Sequence, residues 1–166
     1  EAVVGGVPTW HLSVESRANH FAMLTQQVDL FDASIAENLR IANPTASDEK
    51  LWEVLKAVAL DGWVEQLPKG LTTAVGEKGQ QLSGGQGRRL ALARLMLCSP
   101  QVVILDEPFA GVDAATANHL AASLDQWLLN RTVIFFVHQF SSLNPLPGVE
   151  YHWHLDAGKL SQCALK

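Results

Sequence analysis

Leu82-Ser83-Gly84-Gly85-Gln86 and, beyond an arginine-rich segment, Val102-Val103-Ile104-Leu105-Asp106-Glu107 are the two stretches that decide how this chain folds. The second is a short apolar run closed by two adjacent acids. It reads as a buried parallel strand whose C-terminal tip delivers carboxylates to a crevice. The first carries the capping-box pattern Ser-x-x-Gln and therefore opens a helix. Consecutive glycines in a first turn cost about 1 kcal/mol each relative to alanine, and close approach of backbone to a ligand is the usual reason for accepting that cost. The free N–H groups of such a helix nose, carrying about half a positive charge, suit a phosphate.

Helical character continues over residues 84–97 until Pro100 biases Ser99 away from the helical region. Residues 114–129 are amphipathic, with Ala117, Leu120, Leu124, Trp127 and Leu128 at helical spacing, and residues 132–137 return to a buried strand ending at His138. Strand, helix and strand imply a right-handed parallel crossover, which sets His138 at the same sheet edge as Asp106. Toward the N-terminus, residues 1–4 and 21–24 read as β runs, separated by a turn at Gly5, Gly6 and Pro8 and a short helix near residues 14–19. Residues 34–97 have a helical pattern: Ile35, Leu39 and Ile41, then Leu51, Val54, Leu55 and Val58, with Thr45-Ala46-Ser47-Asp48 as helix-start chemistry. Their middle, residues 67–81, holds Pro68 and several glycines and is expected to be a loop. Residues 151–155, a turn at Asp156-Ala157-Gly158-Lys159 and residues 160–162 form an expected terminal hairpin.

Composition narrows the function classes. The 166 residues suit one domain, and a 48% apolar content is ample for a core. No run approaches the roughly 20 apolar residues that cross a bilayer. A net charge of −5 leaves no electrostatic footprint for nucleic acid, which is not an expected partner. Cys98 and Cys163 show neither metal spacing nor a disulfide framework, as in a reducing compartment. His152 and His154 share a strand face without a third ligand. The first residue is not Met and no targeting pattern follows it, so a cut end is expected.

The paired acids carry the chemistry. Metal-assisted attack of water on a γ-phosphate needs one acid on the Mg²⁺ shell and another orienting the water, and Asp106 and Glu107 at a strand tip can do both. A neutral His138 at the same edge could hold the γ-phosphate. Asp113 is a preferred N-cap for the helix starting at Ala114. The combination points to ATP hydrolysis.

The ordered set of LSGGQ, a strand ending in LDEP, then VDAAT and Ile134-Phe135-Phe136-Val137-His138 resembles the nucleotide-binding domain of an exporter-type ABC transporter over nearly the whole chain. The resemblance implies an α/β fold with a mostly parallel sheet of P-loop NTPase (RecA-like) type and an inserted helical subdomain. Residues 1–33 would be core with the Q-loop, 34–97 the helical subdomain ending in the LSGGQ helix, and 98–166 core with the Walker B strand, D-loop and H-loop. It assigns Asp106 to magnesium and Glu107 to water activation. Ser83, Gly84, Gly85 and Gln86 would contact the γ-phosphate of ATP held by an opposite subunit, making the active site an interface. Gln26, in Gln26-Gln27-Val28-Asp29-Leu30-Phe31, matches the Q-loop residue that reaches the metal or its water, the plain alternative being a polar residue closing a strand. Asp113 matches the D-loop, where relatives more often read Ser-Ala-Leu-Asp. Glu77 matches a loop that communicates with the membrane part, or is a solvated loop acid. Arg88 stands where many relatives have glutamine.

Expected cofactors are ATP and Mg²⁺. Expected partners are a second ABC ATPase domain and an exporter transmembrane domain, at the cytoplasmic face of the plasma or inner membrane, the chain itself being soluble. LSGG-x-x-RR-LALARL with LDEPFAGVDA most resembles the cysteine/glutathione exporter half of the cytochrome bd assembly type. No GxxxxGK[ST] phosphate loop occurs in the sequence. The resemblance thus implies that the first strand and phosphate-loop helix are missing, that the isolated chain binds MgATP weakly or not at all, and that uncovered sheet surface favours self-association. Two other classes stay open: a non-catalytic partner that only donates LSGGQ, and an ATPase of the DNA-repair or chromosome class.

Overall fold

The computed structural model describes residues 2–76, 79, 81–138, 146 and 148–163. Glu77 lies outside the described residues. The chain starts with a small hairpin, β1 (Val3–Val4) and β2 (Val7–Pro8), turned by Gly5 and Gly6 at φ 57° and 79°. Paired positive φ values define the tight turn that matches strand twist, and glycine adopts them without a Cβ penalty. Helix α1 (Val14–His20) follows, begun by Ser13 accepting from the Ser16 N–H. It leads into β3 (Phe21–Leu24).

The helical block forms as the apolar spacing predicts. Helix α2 (Ile35–Arg40) opens with a full capping box between Ser34 and Glu37, and α3 (Asp48–Ala57) is capped by Ser47. A short α4 (Asp61–Glu65) completes the group. Residues 67–81 include a 3₁₀ turn, Gly70–Thr72, and run back so that Ala74 bridges Ser34. Helix α5 (Gly84–Met96) leads to β4 (Val102–Asp106), then α6 (Ala114–Trp127) and β5 (Thr132–Phe136). Helix α6 stops short of the expected residue 129. Asn130 takes φ 61°, the left-handed conformation in which helices commonly terminate. A separate antiparallel hairpin, β6 (His152–Asp156) and β7 (Lys159–Cys163), turns through Ala157 and Gly158 at φ 45° and 78°.

Strands β3, β4 and β5 make one parallel sheet in that order, with Met23, Ile104 and Ile134 in register. Side chains alternate across it. Ala22, Leu24, Val103, Leu105, Val133 and Phe135 belong to or pack against the core, together with Leu92 of α5 and Leu120 and Leu124 of α6. Each fully buried leucine contributes about 1.5–3 kcal/mol of transfer free energy. The same core continues through Ile35, Leu39, Leu51 and Leu55 of the helical block.

The opposite face departs from expectation. Residues 132–137 read as buried throughout, yet Thr132, Ile134 and Phe136 are exposed, as is Met23. The exposures of Met23, Ile134 and Phe136 are 51%, 43% and 53%. Among the described residues β5 pairs with β4 alone, leaving its outer edge open. No described helix is long and apolar enough to cross a membrane.

Candidate active site

Parallel pairing places the C-terminal tips of β3, β4 and β5 along one edge, with Asp106 opposite Phe136. Just beyond those tips stand Gln26, Glu107 and His138. His138 Nε2 lies 3.0 Å from Glu107 Oε1, the imidazole 87% exposed and the carboxylate 23%. Glu107 has φ 47°, an uncommon conformation for a residue with a Cβ. Its N–H donates to the Phe136 carbonyl at 2.9 Å, and its own carbonyl accepts from the Ala110 N–H at 3.0 Å. Backbone strain of this kind costs about 1–3 kcal/mol and persists where the surroundings over-determine it. Asp106, partly buried, ends β4 on the alternation of Val102 and Ile104, the open side of the sheet.

The nose of α5 is built as a cap and presented outward. The Gln86 N–H donates to Ser83 Oγ at 3.2 Å, and the Ser83 N–H donates to Gln86 Oε1 at 2.9 Å. Ser83 and Gly84 are exposed. The two glycines have different surroundings. A Cβ on Gly84 would meet nothing within 4 Å, whereas one on Gly85 would come 3.2 Å from the Gly111 carbonyl oxygen. Gly85 therefore packs closely inside the chain, against the segment leading to Asp113. Asp113 caps α6, accepting from the Thr116 N–H at 2.9 Å and its hydroxyl at 2.7 Å. Those bonds hold its carboxyl below the usual range. Arg89 closes the far side of the nose, donating to the Ala59 carbonyl at 2.7 Å. Burial pushes its guanidinium pKa down, offset in part by Asp113.

Gln26 and Gln27 separate cleanly. A cavity of about 270 Å³ is lined by Gln26 together with Leu30, Ser83, Gly84 and Arg88. Gln27 lines a different groove, with Asp29 and Arg94. Gln26 thus shares its space with the α5 nose.

Two residues with defined work carried no expected role. Asn38, fully buried, accepts from the Phe31 N–H at 2.9 Å and donates to the Phe31 and Ser34 carbonyls at 3.0 Å each, fixing the end of the segment that begins at Gln26. Arg88 is 8% exposed and donates to main-chain oxygens at both neighbouring strand tips. Its spacing with Leu92 and Leu95 puts it on the buried face of α5, a signal visible in the helical periodicity.

Among the described residues no group of three or more His, Cys, Asp or Glu is arranged to hold a metal. Asp106 and Gln26 offer a carboxylate and an amide oxygen. Such a sparse oxygen set fits Mg²⁺, which keeps several waters and takes its remaining ligands from phosphates.

A family model described as ABC transporter matches residues 4–110. The chain is 36% identical over 141 residues to the ATP-dependent lipid A-core flippase of Chromobacterium violaceum, covering 85% of this chain and 24% of that protein. It is 36% identical over 144 residues to the glutathione/L-cysteine transport system ATP-binding/permease protein CydC of Escherichia coli, covering 87% and 25%. The solved structure of a bacterial Atm1-family ABC exporter with ATP bound aligns with a TM-score of 0.86 at 28% identity, covering 96% of this chain and 27% of that one. The chain thus spans about a quarter of the length of these relatives. With that family model matching more than half of its length, and the strand tips and helix nose placed as described, this chain belongs to the ABC transporter family.

Proposed function

We propose that this chain is the C-terminal part of the ATP-hydrolysing domain of an ABC exporter, with residues 1–33 and 98–166 as catalytic core and residues 34–97 as the helical subdomain. The observation carrying the reading is the 3.0 Å approach of His138 to Glu107 at the tip of the strand ending in Asp106. Glu107 orients the attacking water and takes its proton, a task needing a carboxylate within hydrogen-bond reach of the water. His138 holds the terminal phosphate and steadies Glu107. Asp106 and Gln26 bind the metal side, where Mg²⁺ supplies charge neutralisation of the phosphate oxygens. Ser83, Gly84, Gly85 and Gln86 face the ATP of a second ABC ATPase domain, and Asp113 lies at that interface. The exposed Ser83 and Gly84 support this assignment. The partners are that second domain and the exporter's transmembrane part, at the cytoplasmic face of the membrane. As cargo we infer cysteine or glutathione, on the likeness to CydC.

The test uses the full-length protein carrying this chain, reconstituted in lipid. Glu107→Gln is expected to retain ATP binding while losing about 100-fold or more in hydrolysis, the range for a lost general base. Wild-type hydrolysis should rise with cysteine or glutathione and not with lipid A. Full turnover by the Glu107→Gln variant removes Glu107 from the role, and stimulation by lipid A alone removes the thiol cargo.

A further inference from the structure

Arg88 makes a set of contacts that the proposed chemistry has not used. Its Nε donates to the Glu107 carbonyl at 3.1 Å, one Nη to the Gln26 carbonyl at 2.9 Å and the Thr25 carbonyl at 3.4 Å, and the other Nη to the Asp106 carbonyl. All three guanidinium nitrogens are thereby engaged, and every acceptor is a main-chain oxygen just past the end of β3 or at the end of β4. A guanidinium is a rigid planar fork of five donors, so it fixes the relative position of its acceptors. Lysine at this place would offer one compact ammonium, unable to span two strands at once.

The acceptor that matters most is the Glu107 carbonyl. That residue occupies a left-handed backbone conformation at φ 47°, and its peptide is held at one end by the Phe136 carbonyl and at the other by Ala110 and Arg88. Releasing Arg88 leaves the strained peptide one restraint fewer and frees it from the Gln26 main chain. The Glu107 carboxylate, 3.0 Å from His138, would then lose its fixed direction.

We propose that Arg88 is a positioning residue, clamping the Gln26 and Glu107 main chains together so that the Glu107 carboxylate keeps its aim. This rests on the reading of Glu107 as the water-activating base. Acting through Glu107, the clamp's loss lowers turnover, whereas an action through the Asp106 and Gln26 carbonyls it also holds would raise KM for MgATP instead. On this proposal its loss adds little once Glu107 is already disabled.

The experiment is a double-mutant cycle in the full-length, lipid-reconstituted protein: wild type, Arg88→Lys, Glu107→Gln and the pair, with Arg88→Gln as a second variant and thermal melts on each. Arg88→Lys is expected to lower kcat by about tenfold to 100-fold, the effect of misplacing a catalytic group by about an ångström. KM for ATP should stay within about twofold. In the Glu107→Gln background the same change should lower the residual rate by less than about twofold, as expected for residues acting as a unit. Unchanged kcat in Arg88→Lys, a raised KM in place of a lowered kcat, or an equal loss in both backgrounds overturns the proposal. So does failure of both Arg88 variants to fold, which would make the clamp a requirement of the fold alone. Absence of hydrolysis by wild type, or full activity of Glu107→Gln, instead removes the functional reading itself and this inference with it.

Discussion

Gly84 and Gly85 sit side by side in one helical turn, yet their neighbourhoods predict different responses to a methyl group. On Gly84 it projects into open space, so Gly84→Ala should leave the thermal midpoint unchanged or raise it slightly, alanine being favoured in a helix by up to about 1 kcal/mol. On Gly85 it comes 3.2 Å from the Gly111 carbonyl oxygen, so the midpoint of Gly85→Ala should lie below that of Gly84→Ala. If the nose faces phosphate, Gly84→Ala also lowers ATPase activity in the full-length protein, with no loss of stability to explain it. Paired melts and turnover assays distinguish a ligand requirement from a folding one. The sequence marked both glycines as unusual but could not divide the two causes, because the division depends on a segment that folds back from residue 111. Asp106, Glu107 and His138 were readable from apolar runs that end in polar residues. The clamping contacts of Arg88 were not, because its acceptors belong to other strands and have no side-chain signature.

Helix ends were the most readable elements, since a cap is a local pattern. Ser47, Ser83 with Gln86, and Asp113 all cap as their spacing suggests, and the structure adds a capping box between Ser34 and Glu37. Asp113 also gives α6 an acid dependence. Its carboxyl is held below the ordinary 3.8 chiefly by the Thr116 N–H, then by the Thr116 hydroxyl. The folded state thus favours the charged form. The resulting stability is present above the ordinary carboxylate pKa and is lost as pH falls through the lowered value. Asp113→Asn should keep the cap and flatten the acid limb of the melting temperature against pH, whereas Asp113→Ala should lower the midpoint at neutral pH as well. Glu37, lowered by the Ser34 hydroxyl, keeps some acid dependence in either variant. An unchanged acid limb in the Asp113→Asn variant would remove Asp113 from this account. Strand burial was less readable than capping. An apolar pentad such as Thr132–Phe136 looks alike whether one face or both are covered, and only the sheet decides.

One hydrophobic core runs from the sheet through the helical block, and on its far side the sheet presents Met23, Ile134 and Phe136 to solvent. Exposed apolar surface of this kind, beside a strand edge that pairs with nothing among the described residues, drives association. The 166-residue chain by itself is therefore expected to form concentration-dependent dimers or larger species in light scattering, and Ile134→Lys with Phe136→Lys to shift it toward monomer. A monomer at every concentration would contradict this. The helices within residues 35–65 and the strands β4 and β5 were foreseeable because their hydrophobic periods differ, while the pairing order β3, β4, β5 emerges only when distant strands meet. That order has a consequence for synthesis. Leu24 pairs with Leu105, so the earlier strand leaves the ribosome long before its neighbour exists. At about 5–20 residues per second the wait is on the order of several seconds. For that interval Phe21–Leu24 is an orphan ribbon, and translation speed across the intervening helices sets how long the nascent chain stays open to wrong partners.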